Sequence, residues 1–177
     1  MRRTFALAIA GVALAAGAEP KATKLQPSAD GAFGIRMVEE GPDACRLEVV
    51  KGTDPSWTLD KCVGNASDLY FVSNDGQRFW VLHTTPEKPG PPQGKKKGTP
   101  WYQVEVASLH DARGNVVQSR RLMDLVLPLD RDKVRQLGKH FMWIGGVDGV
   151  PGKPPRINDA GQVEVEVSGA RTLKLSF

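Results

Sequence analysis

The chain has 177 residues, of which 40% are hydrophobic and 25% charged, and its formal net charge is +4. This length suffices for one domain with a substantial core, and so small a net charge gives no reason to expect nucleic acid as a partner. After an N-terminal apolar run, no stretch approaches the roughly 18 apolar residues that a membrane-spanning helix needs. No transmembrane segment is therefore predicted in the mature chain.

The first 18 residues are predicted to be a secretory signal peptide. Arg2 and Arg3 precede an apolar run over residues 5–16, and Ala16-Gly17-Ala18 offers small residues for cleavage. The arginine pair also fits a twin-arginine signal, but its position at the very N-terminus favours ordinary unfolded export. Glu19 stands where a lipoprotein carries its acylated Cys, so no lipid anchor is predicted. Cleavage would leave 22 Lys and Arg against 20 Asp and Glu, a net charge of +2 on a periplasmic or secreted protein.

Residues 19–31 mix Lys, Pro, Ser and Ala without periodicity, and we predict a flexible lead-in to a single β domain over residues 32–177. Order is expected to begin near Phe33. Every second residue from Phe33 to Met37 is large and apolar, which predicts a half-buried strand ended by Gly41-Pro42.

Cys45 and Cys62 are the only cysteines of the chain, and export would place them in an oxidising compartment. We therefore predict a disulfide between them. A metal or redox pair is disfavoured, because neither belongs to a C-x-x-C motif and no His lies nearby. A symmetric hairpin over residues 45–62 would set the apolar Leu47 opposite the charged Asp60. The apolar side chains of the two strands would then point to opposite faces of the sheet. Either this hairpin contains a bulge, or the strands pair elsewhere and the disulfide ties their ends.

The centre of the predicted fold is a hairpin. Two aromatic and β-branched runs, Leu69–Val72 and Phe79–Leu82, flank Asn74-Asp75-Gly76, which predicts a three-residue loop whose Gly takes a positive φ. Because consecutive positions in both runs are apolar, both faces of this strand pair are expected to be covered by the rest of the domain.

Composition changes sharply over residues 85–100, which hold five prolines, three glycines and Lys95-Lys96-Lys97. Pro and Gly predict an exposed loop outside any sheet. Its four Lys against Glu87 give a net charge of +3, while the rest of the mature chain sums to about −1. We favour a solvated loop; the alternative is a site for acidic partners.

Downstream of this loop the sequence predicts one more hairpin, a short helical region and a closing hairpin. In the helical region, residues 122–138, Asp130 is the predicted N-cap and Gly138 follows the end. The other predicted elements are strands over residues 101–109 and 116–121, a buried strand over 141–144, a second Gly/Pro loop over 145–161, and strands over 163–167 and 173–177.

Three similar turns, over residues 73–77, 110–115 and 158–162, have glycines 38 and 47 residues apart, near the length of a propeller blade. Leu69–Gly76 is similar to blade hairpins of bacterial β-propeller repeat proteins, and Asn115–Val126 resembles a segment of exported bacterial proteins of unknown function. The resemblance covers about a third of the chain, implies blade-like sheets and transfers no catalytic residue. A closed propeller needs at least four blades of roughly 40 residues. We therefore predict an all-β fold, either an antiparallel β-sandwich or an open stack of propeller-blade-like sheets, with about ten short strands and at most one short helix.

The search for catalytic or metal-binding motifs is mostly negative. No phosphate-binding loop, nucleophile elbow or calcium loop occurs, and neither a metal nor a cofactor is expected. His83, His110 and His140 stand apart from carboxylates at ligand spacing, so structural roles are favoured. Asp130 and Asp132 could form a carboxylate pair, although a helix cap with a solvated neighbour explains them more simply.

Trp101 directly follows the basic loop. An exposed Trp ring could stack on a sugar, but aromatic strand residues of an all-β domain usually belong to its core, so core packing is favoured here. The same reasoning predicts that Trp80 is buried.

Two functions from different classes remain open. The first is a non-catalytic, exported binding module of the bacterial cell envelope. Its partner would be an envelope protein or an acidic polysaccharide, with Lys95, Lys96, Lys97 and Trp101 as possible contacts. The second is a small exported hydrolase acting on an envelope polymer. We favour the first and predict no enzyme, because long loops on a strand scaffold suit recognition. A cleft with two carboxylates, or with a His and a hydroxyl within hydrogen-bond reach, would favour the hydrolase.

Overall fold

The computed structural model describes residues 21–41, 44–90, 98–168 and 171–177. In these residues the chain forms fourteen strands, all paired antiparallel, one α-helical turn and two 3₁₀ turns. The predicted all-β class is confirmed. The strand number exceeds ten because several strands contain only two or three residues, too few for an alternating pattern to reveal.

The first sheet contains β1 (Lys21–Ala22), β2 (Gln26–Pro27), β3 (Phe33–Gly41), β4 (Ala44–Lys51) and β5 (Asp54–Leu59). Strand β3 pairs with β1 and β2 on one side and with β4 on the other, and β5 pairs with β4. Order therefore begins before Phe33, and a flexible lead-in is wrong for the described residues that precede it. Their backbone groups bond to β3 and its turn, as Ser28 N does to Phe33 O at 2.8 Å. Hydrogen bonds to the sheet order this segment, although its sequence has no apolar periodicity.

The β4–β5 hairpin contains a bulge, the first of the two predicted alternatives. Leu47 lies opposite Leu59 and Val49 opposite Trp57, and the register shifts between Val49 and Val50. The shift places apolar residues of both strands on one face. The predicted Cys45–Cys62 disulfide is confirmed, with a Cα–Cα distance of 5.0 Å.

The middle sheet contains β6 (Leu69–Val72), β7 (Arg78–Leu82), β8 (Glu105–Asp111) and β9 (Val116–Arg121), in that order. The predicted central hairpin is confirmed. Phe71 lies opposite Trp80, and Ser73 N donates to Arg78 O at 2.9 Å to close the loop. Gly76 has a φ of +68°, and a Cβ there would lie 2.6 Å from the Phe33 ring. Both the conformation and the close approach therefore require glycine.

The third layer contains β10 (Arg135–Leu137), β11 (His140–Met142), β12 (Arg156–Ile157), β13 (Val163–Val167) and β14 (Arg171–Leu175). Strand β10 pairs with β11, and β13 lies between β12 and β14. A bridge between Ile144 and Val167 joins the two groups. Gly145 N donates to Glu166 O at 2.7 Å beside that bridge. The predicted closing hairpin is confirmed, because β13 and β14 pair with Val165 opposite Leu173.

The start of the predicted loop over residues 85–100 belongs to this layer. Glu87 bridges His140, and Pro86, which is buried, accepts a hydrogen bond from Phe141 N at 3.3 Å. An exposed loop outside any sheet is therefore wrong for these residues. Proline lacks an N–H, but its carbonyl still accepts a hydrogen bond at a sheet edge.

The predicted helical region is only partly helical. It contains α1 (Leu122–Leu125) and a 3₁₀ turn at Pro128–Lys133. Asp130 is not an N-cap: the turn starts after Leu127, and Asp130 forms an ion pair with Lys133 at 2.8 Å. Gly138, with a φ of +52°, lies in the turn between β10 and β11.

The predicted strand at Trp101 also needs correction. A 3₁₀ turn occupies Trp101–Gln103, and the strand begins only at Glu105. Leu122 N donates to Val104 O at 3.0 Å, so this turn adjoins the end of β9.

Both faces of the middle sheet are covered, as predicted. One face packs against the first sheet through a cluster that contains Ile35, Met37, Leu47, Val49, Tyr70, Val72, Phe79 and Val81. The other packs against the third layer through a larger cluster that includes Phe71, Trp80, Leu82, Leu109, Phe141, Trp143, Val165 and Leu175. The architecture is thus a stack of three layers around the central hairpin.

Candidate functional site

The sequence-predicted contact residues do not come together in a described site. Lys95, Lys96 and Lys97 lie outside the described residues. Trp101 is half-buried, and its ring packs edge-on against Phe141 with the ring centroids 5.2 Å apart. One side of this indole therefore belongs to the hydrophobic core.

A groove with positively charged walls lies between β9 and the end of β14. Its volume is about 450 Å³. We call it the cationic groove, and it is lined by Arg78, Trp80, Leu109, Val117, Gln118, Arg120, Lys174, Leu175, Ser176 and Phe177. These residues come from four strands and from the segment that follows β14, so tertiary packing creates the groove.

Strand register explains why polar side chains line this groove. Trp80 lies opposite Leu109, and Leu109 lies opposite Gln118. Arg78 shares the face of Trp80, because side chains two residues apart on a strand point the same way. The third layer buries Trp80 completely, whereas Arg78 is exposed. The groove opens where this cover ends.

The cations of the groove have few ion-pair partners in the part of the chain that the structure describes, although Asp75 is close enough to Arg78 for their charges to interact. In the described residues, neither Arg78 nor Arg120 has a carboxylate oxygen within 4.0 Å. Lys174 Nζ lies 3.8 Å from Glu164 Oε1, but Glu164 also forms an ion pair with Arg156, whose Nη2 lies 3.0 Å from Glu164 Oε2. No Asp or Glu lines the groove. Guanidinium groups in such a setting suit carboxylate or other oxyanion ligands.

A second cleft of about 400 Å³ adjoins the cationic groove. We call it the turn cleft, and it is lined by Ser73, Asn74, Asp75, Ala160, Gly161, Gln162, Ser176 and Phe177. Two tight turns form its walls, and Gln162 Nε2 donates to Ser176 Oγ at 3.0 Å. Ser176 and Phe177 line both clefts, so the two clefts are neighbours at this segment.

Asp75 gives the turn cleft a fixed negative charge. Its Oδ1 accepts hydrogen bonds from Ser73 Oγ and, at 2.9 Å, from Gln77 N. These two bonds lower the pKa of the Asp75 carboxyl, and the charge of Arg78 lowers it further. Both hydrogen bonds favour the ionised form, so Asp75 stays negative at neutral pH.

The structure also brings together a pair that the sequence analysis missed. Asp68 Oδ2 lies 2.9 Å from His83 Nδ1, so the interpretation of His83 as isolated from carboxylates is wrong. Asp68 is buried, and its two oxygens also accept hydrogen bonds from Asn65 N at 3.0 Å and Thr84 N at 3.3 Å. The signal was present in the hairpin register, because residues 68 and 83 lie one step beyond the Leu69–Leu82 pair.

In the part of the chain that the structure describes, neither this pair nor His110 combines an accessible imidazole with a hydroxyl hydrogen-bonded to it. In the described residues, the ring of His83 has a hydrogen-bond partner only in Asp68, and no hydroxyl contacts it. His110 Nε2 does lie 2.9 Å from Ser108 Oγ, but the two residues are 5% and 2% exposed between the sheets. Burial also lowers the pKa of His110. A substrate cannot reach this His and hydroxyl, so they do not form the cleft that would favour a hydrolase.

In the described ranges, no group of three or more His, Cys, Asp or Glu side chains could hold a metal ion. Likewise, none of the described helices has the length and apolarity to cross a bilayer.

No protein-family model, curated protein or solved structure matches this chain. Its function is therefore inferred from the chemistry of the clefts.

Proposed function

We propose that this protein is a non-catalytic, exported binding module of the bacterial cell envelope that holds an acidic polysaccharide in the cationic groove. The observation that carries this proposal is the concave placement of Arg78 and Arg120 without an acidic partner in the described residues. Neither guanidinium must break an ion pair to a described residue before it binds an anion, which favours affinity.

The composition of the groove supports a saccharide rather than a small inorganic anion. Its volume of about 450 Å³ falls in the range of organic ligand sites. Gln118 and Ser176 offer an amide and a hydroxyl for sugar hydroxyls, and Phe177 offers an aromatic ring. A mature net charge of only +2 argues against a nucleic acid, whose binding depends on many phosphate contacts.

Export is supported by the N-terminal sequence and by the Cys45–Cys62 disulfide, which is typical of oxidising compartments. We also propose that the sheets are blade-type repeats. The turns at residues 28–33 and 73–78 support this relationship, because Ser28 and Ser73 make equivalent hydrogen bonds in them. Each hydroxyl donates to the Asp two residues later and accepts from the backbone N–H five residues later, at 3.0 Å in both turns.

The proposal is tested by the salt-sensitive binding of the mature protein to polygalacturonate, measured by calorimetry. The parent should bind, and more weakly as salt rises, because salt screens exposed charges. The triple variant Arg78→Gln, Arg120→Gln, Lys174→Gln should lose at least about tenfold in affinity, as expected for three charge contacts. The control triple Lys21→Gln, Arg135→Gln, Lys139→Gln removes the same charge outside the groove and should change affinity less than about twofold.

The lysines outside the described residues remain a competing location. Changing Lys95, Lys96 and Lys97 to Ser should leave binding nearly intact if the groove is the site. Loss of binding in that variant, together with parental binding by the groove variant, would move the site to the loop. A parent that binds no acidic glycan would defeat the proposal.

We keep the exported hydrolase as a second candidate, because Asp68 and His83 lie 2.9 Å apart. An Asp that orients a His is a common arrangement for a general base acting on water. This candidate requires that the mature protein release reducing ends from an envelope polymer. It further requires that His83→Asn abolish that release without lowering the melting temperature.

A further inference from the structure

We infer that the ligand is an acidic polysaccharide in which charged and neutral sugars alternate, and that Asp75 selects for the neutral sugar. This inference rests on the proposed function and concerns the whole path formed by the cationic groove and the turn cleft. Ser176 and Phe177 form part of the wall of both spaces, so an extended chain that crosses these two residues would reach both.

The two halves of this path have opposite charge. The cationic groove is lined by the cationic side chains of Arg78, Arg120 and Lys174 and by no Asp or Glu side chain. The turn cleft is lined by Asp75 and by no Lys or Arg. An anionic sugar is therefore attracted to the first half and repelled from the second. A polymer with a carboxylate on every sugar would place one against Asp75.

The turn cleft offers suitable partners for a neutral sugar. The ionised Asp75 can accept hydrogen bonds from sugar hydroxyls or from an N-acetyl amide. Asn74 Oδ1 accepts a hydrogen bond from Asp30 N at 3.3 Å. In the described residues the side-chain amide nitrogen of Asn74 has no hydrogen-bond partner, so it can donate to a sugar hydroxyl. Gln162 lines the opposite wall. Such a mixture of donors and acceptors binds hydroxyl groups without favouring a charge.

The experiment compares two sets of oligosaccharides of equal length. One alternates a uronic acid with a neutral N-acetylated sugar, as in hyaluronan, and the other carries a uronic acid at every position, as in oligogalacturonate. Asp75→Asn removes the charge but keeps an oxygen that can accept from Ser73 and Gln77. We expect it to raise affinity for oligogalacturonate by about two- to fivefold, the range of one exposed charge pair. Its affinity for the alternating oligomer should change less than about twofold.

The chain contains a matched control for this change. Asp132 is exposed and lines neither the cationic groove nor the turn cleft. Asp132→Asn removes the same charge and should therefore leave both affinities unchanged. An equal gain in both variants would show an effect of net charge alone and would overturn the inference. No gain in Asp75→Asn, with the parent binding oligogalacturonate, would overturn it as well.

A second measurement needs no variant, in case Asp75→Asn does not fold. Half methyl-esterified oligogalacturonate carries fewer charges, yet the parent should bind it at least as tightly as the fully charged oligomer. Weaker binding in proportion to charge would overturn the inference and leave the proposed function standing. If the parent binds no acidic oligosaccharide at all, the proposed function fails, and the inference fails with it.

Discussion

Asp68 and His83 close the open end of the central hairpin, with Asp68 Oδ2 2.9 Å from His83 Nδ1. The same Asp68 carboxylate orders the preceding turn through Asn65 N at 3.0 Å. On the other side, Trp143 Nε1 donates to the His83 carbonyl at 2.7 Å. One buried carboxylate therefore connects the entry to β6, the exit of β7 and, through His83, the third layer.

Replacing Asp68 should destabilise the fold strongly. Asp68→Ala leaves the N–H groups of Asn65 and Thr84 and the ring of His83 without their acceptor, so we expect a loss of about 2–4 kcal/mol. Urea denaturation measures this loss. The exposed Asp159→Ala is the control and should change stability by less than about 0.5 kcal/mol. Equal midpoints for the two variants would contradict a structural role for Asp68.

The disulfide should make a large contribution to stability. Cys45 and Cys62 are 17 residues apart, and the chain-entropy model gives about 3 kcal/mol for a loop of this size. The double variant Cys45→Ser, Cys62→Ser should therefore have a lower urea midpoint by a corresponding amount. Mass spectrometry of the unreduced mature protein should give a mass two hydrogens below that of the reduced form. Two titratable thiols in fresh periplasmic material would refute the pairing there.

Trp80 should be among the most sensitive core positions. It is fully buried, and its Nε1 donates to Ser176 O at 3.2 Å. Trp80→Ala should cost about 3–5 kcal/mol, because a large cavity forms between the middle sheet and the third layer. Leu129, which is 88% exposed, provides the contrast: Leu129→Ser should change stability by no more than about 0.5 kcal/mol. A melting temperature near the parent's for Trp80→Ala would contradict the packing.

His110 should make stability depend on pH. Burial lowers the pKa of His110 below its ordinary value of 6.5, so below pH 6.5 the unfolded chain takes up a proton that the folded chain excludes. Stability therefore falls as pH falls from 6.5 towards the folded pKa, by up to about 1.4 kcal/mol per pH unit. His110→Gln should flatten this slope in urea titrations at several pH values. The exposed His140→Gln should keep it, and an unchanged slope in His110→Gln would exclude His110 as its source.

The central hairpin was predictable because its determinants are local. Apolar runs flank a loop in which Gly76 has a positive φ, and the resulting register sets every cross-strand pair. The same register places Asp68 opposite His83, whereas their separation of 15 residues along the chain gives no sign of this contact. The Cys45–Cys62 disulfide was predictable for a different reason, since a chain with only two cysteines allows one intramolecular pairing.

Local patterns therefore established the all-β class, the central hairpin, the closing hairpin and the disulfide. The cationic groove depends on long-range contacts instead. Arg78 and Arg120, which are 42 residues apart, share the middle sheet, and Lys174, which is 54 residues further on, joins them through the packing of the third layer. The two-residue strands β1 and β2 likewise have no pattern of their own and are ordered by hydrogen bonds to β3. Strand propensity and alternation act over a few residues, whereas the layer packing that forms a cleft depends on the whole chain.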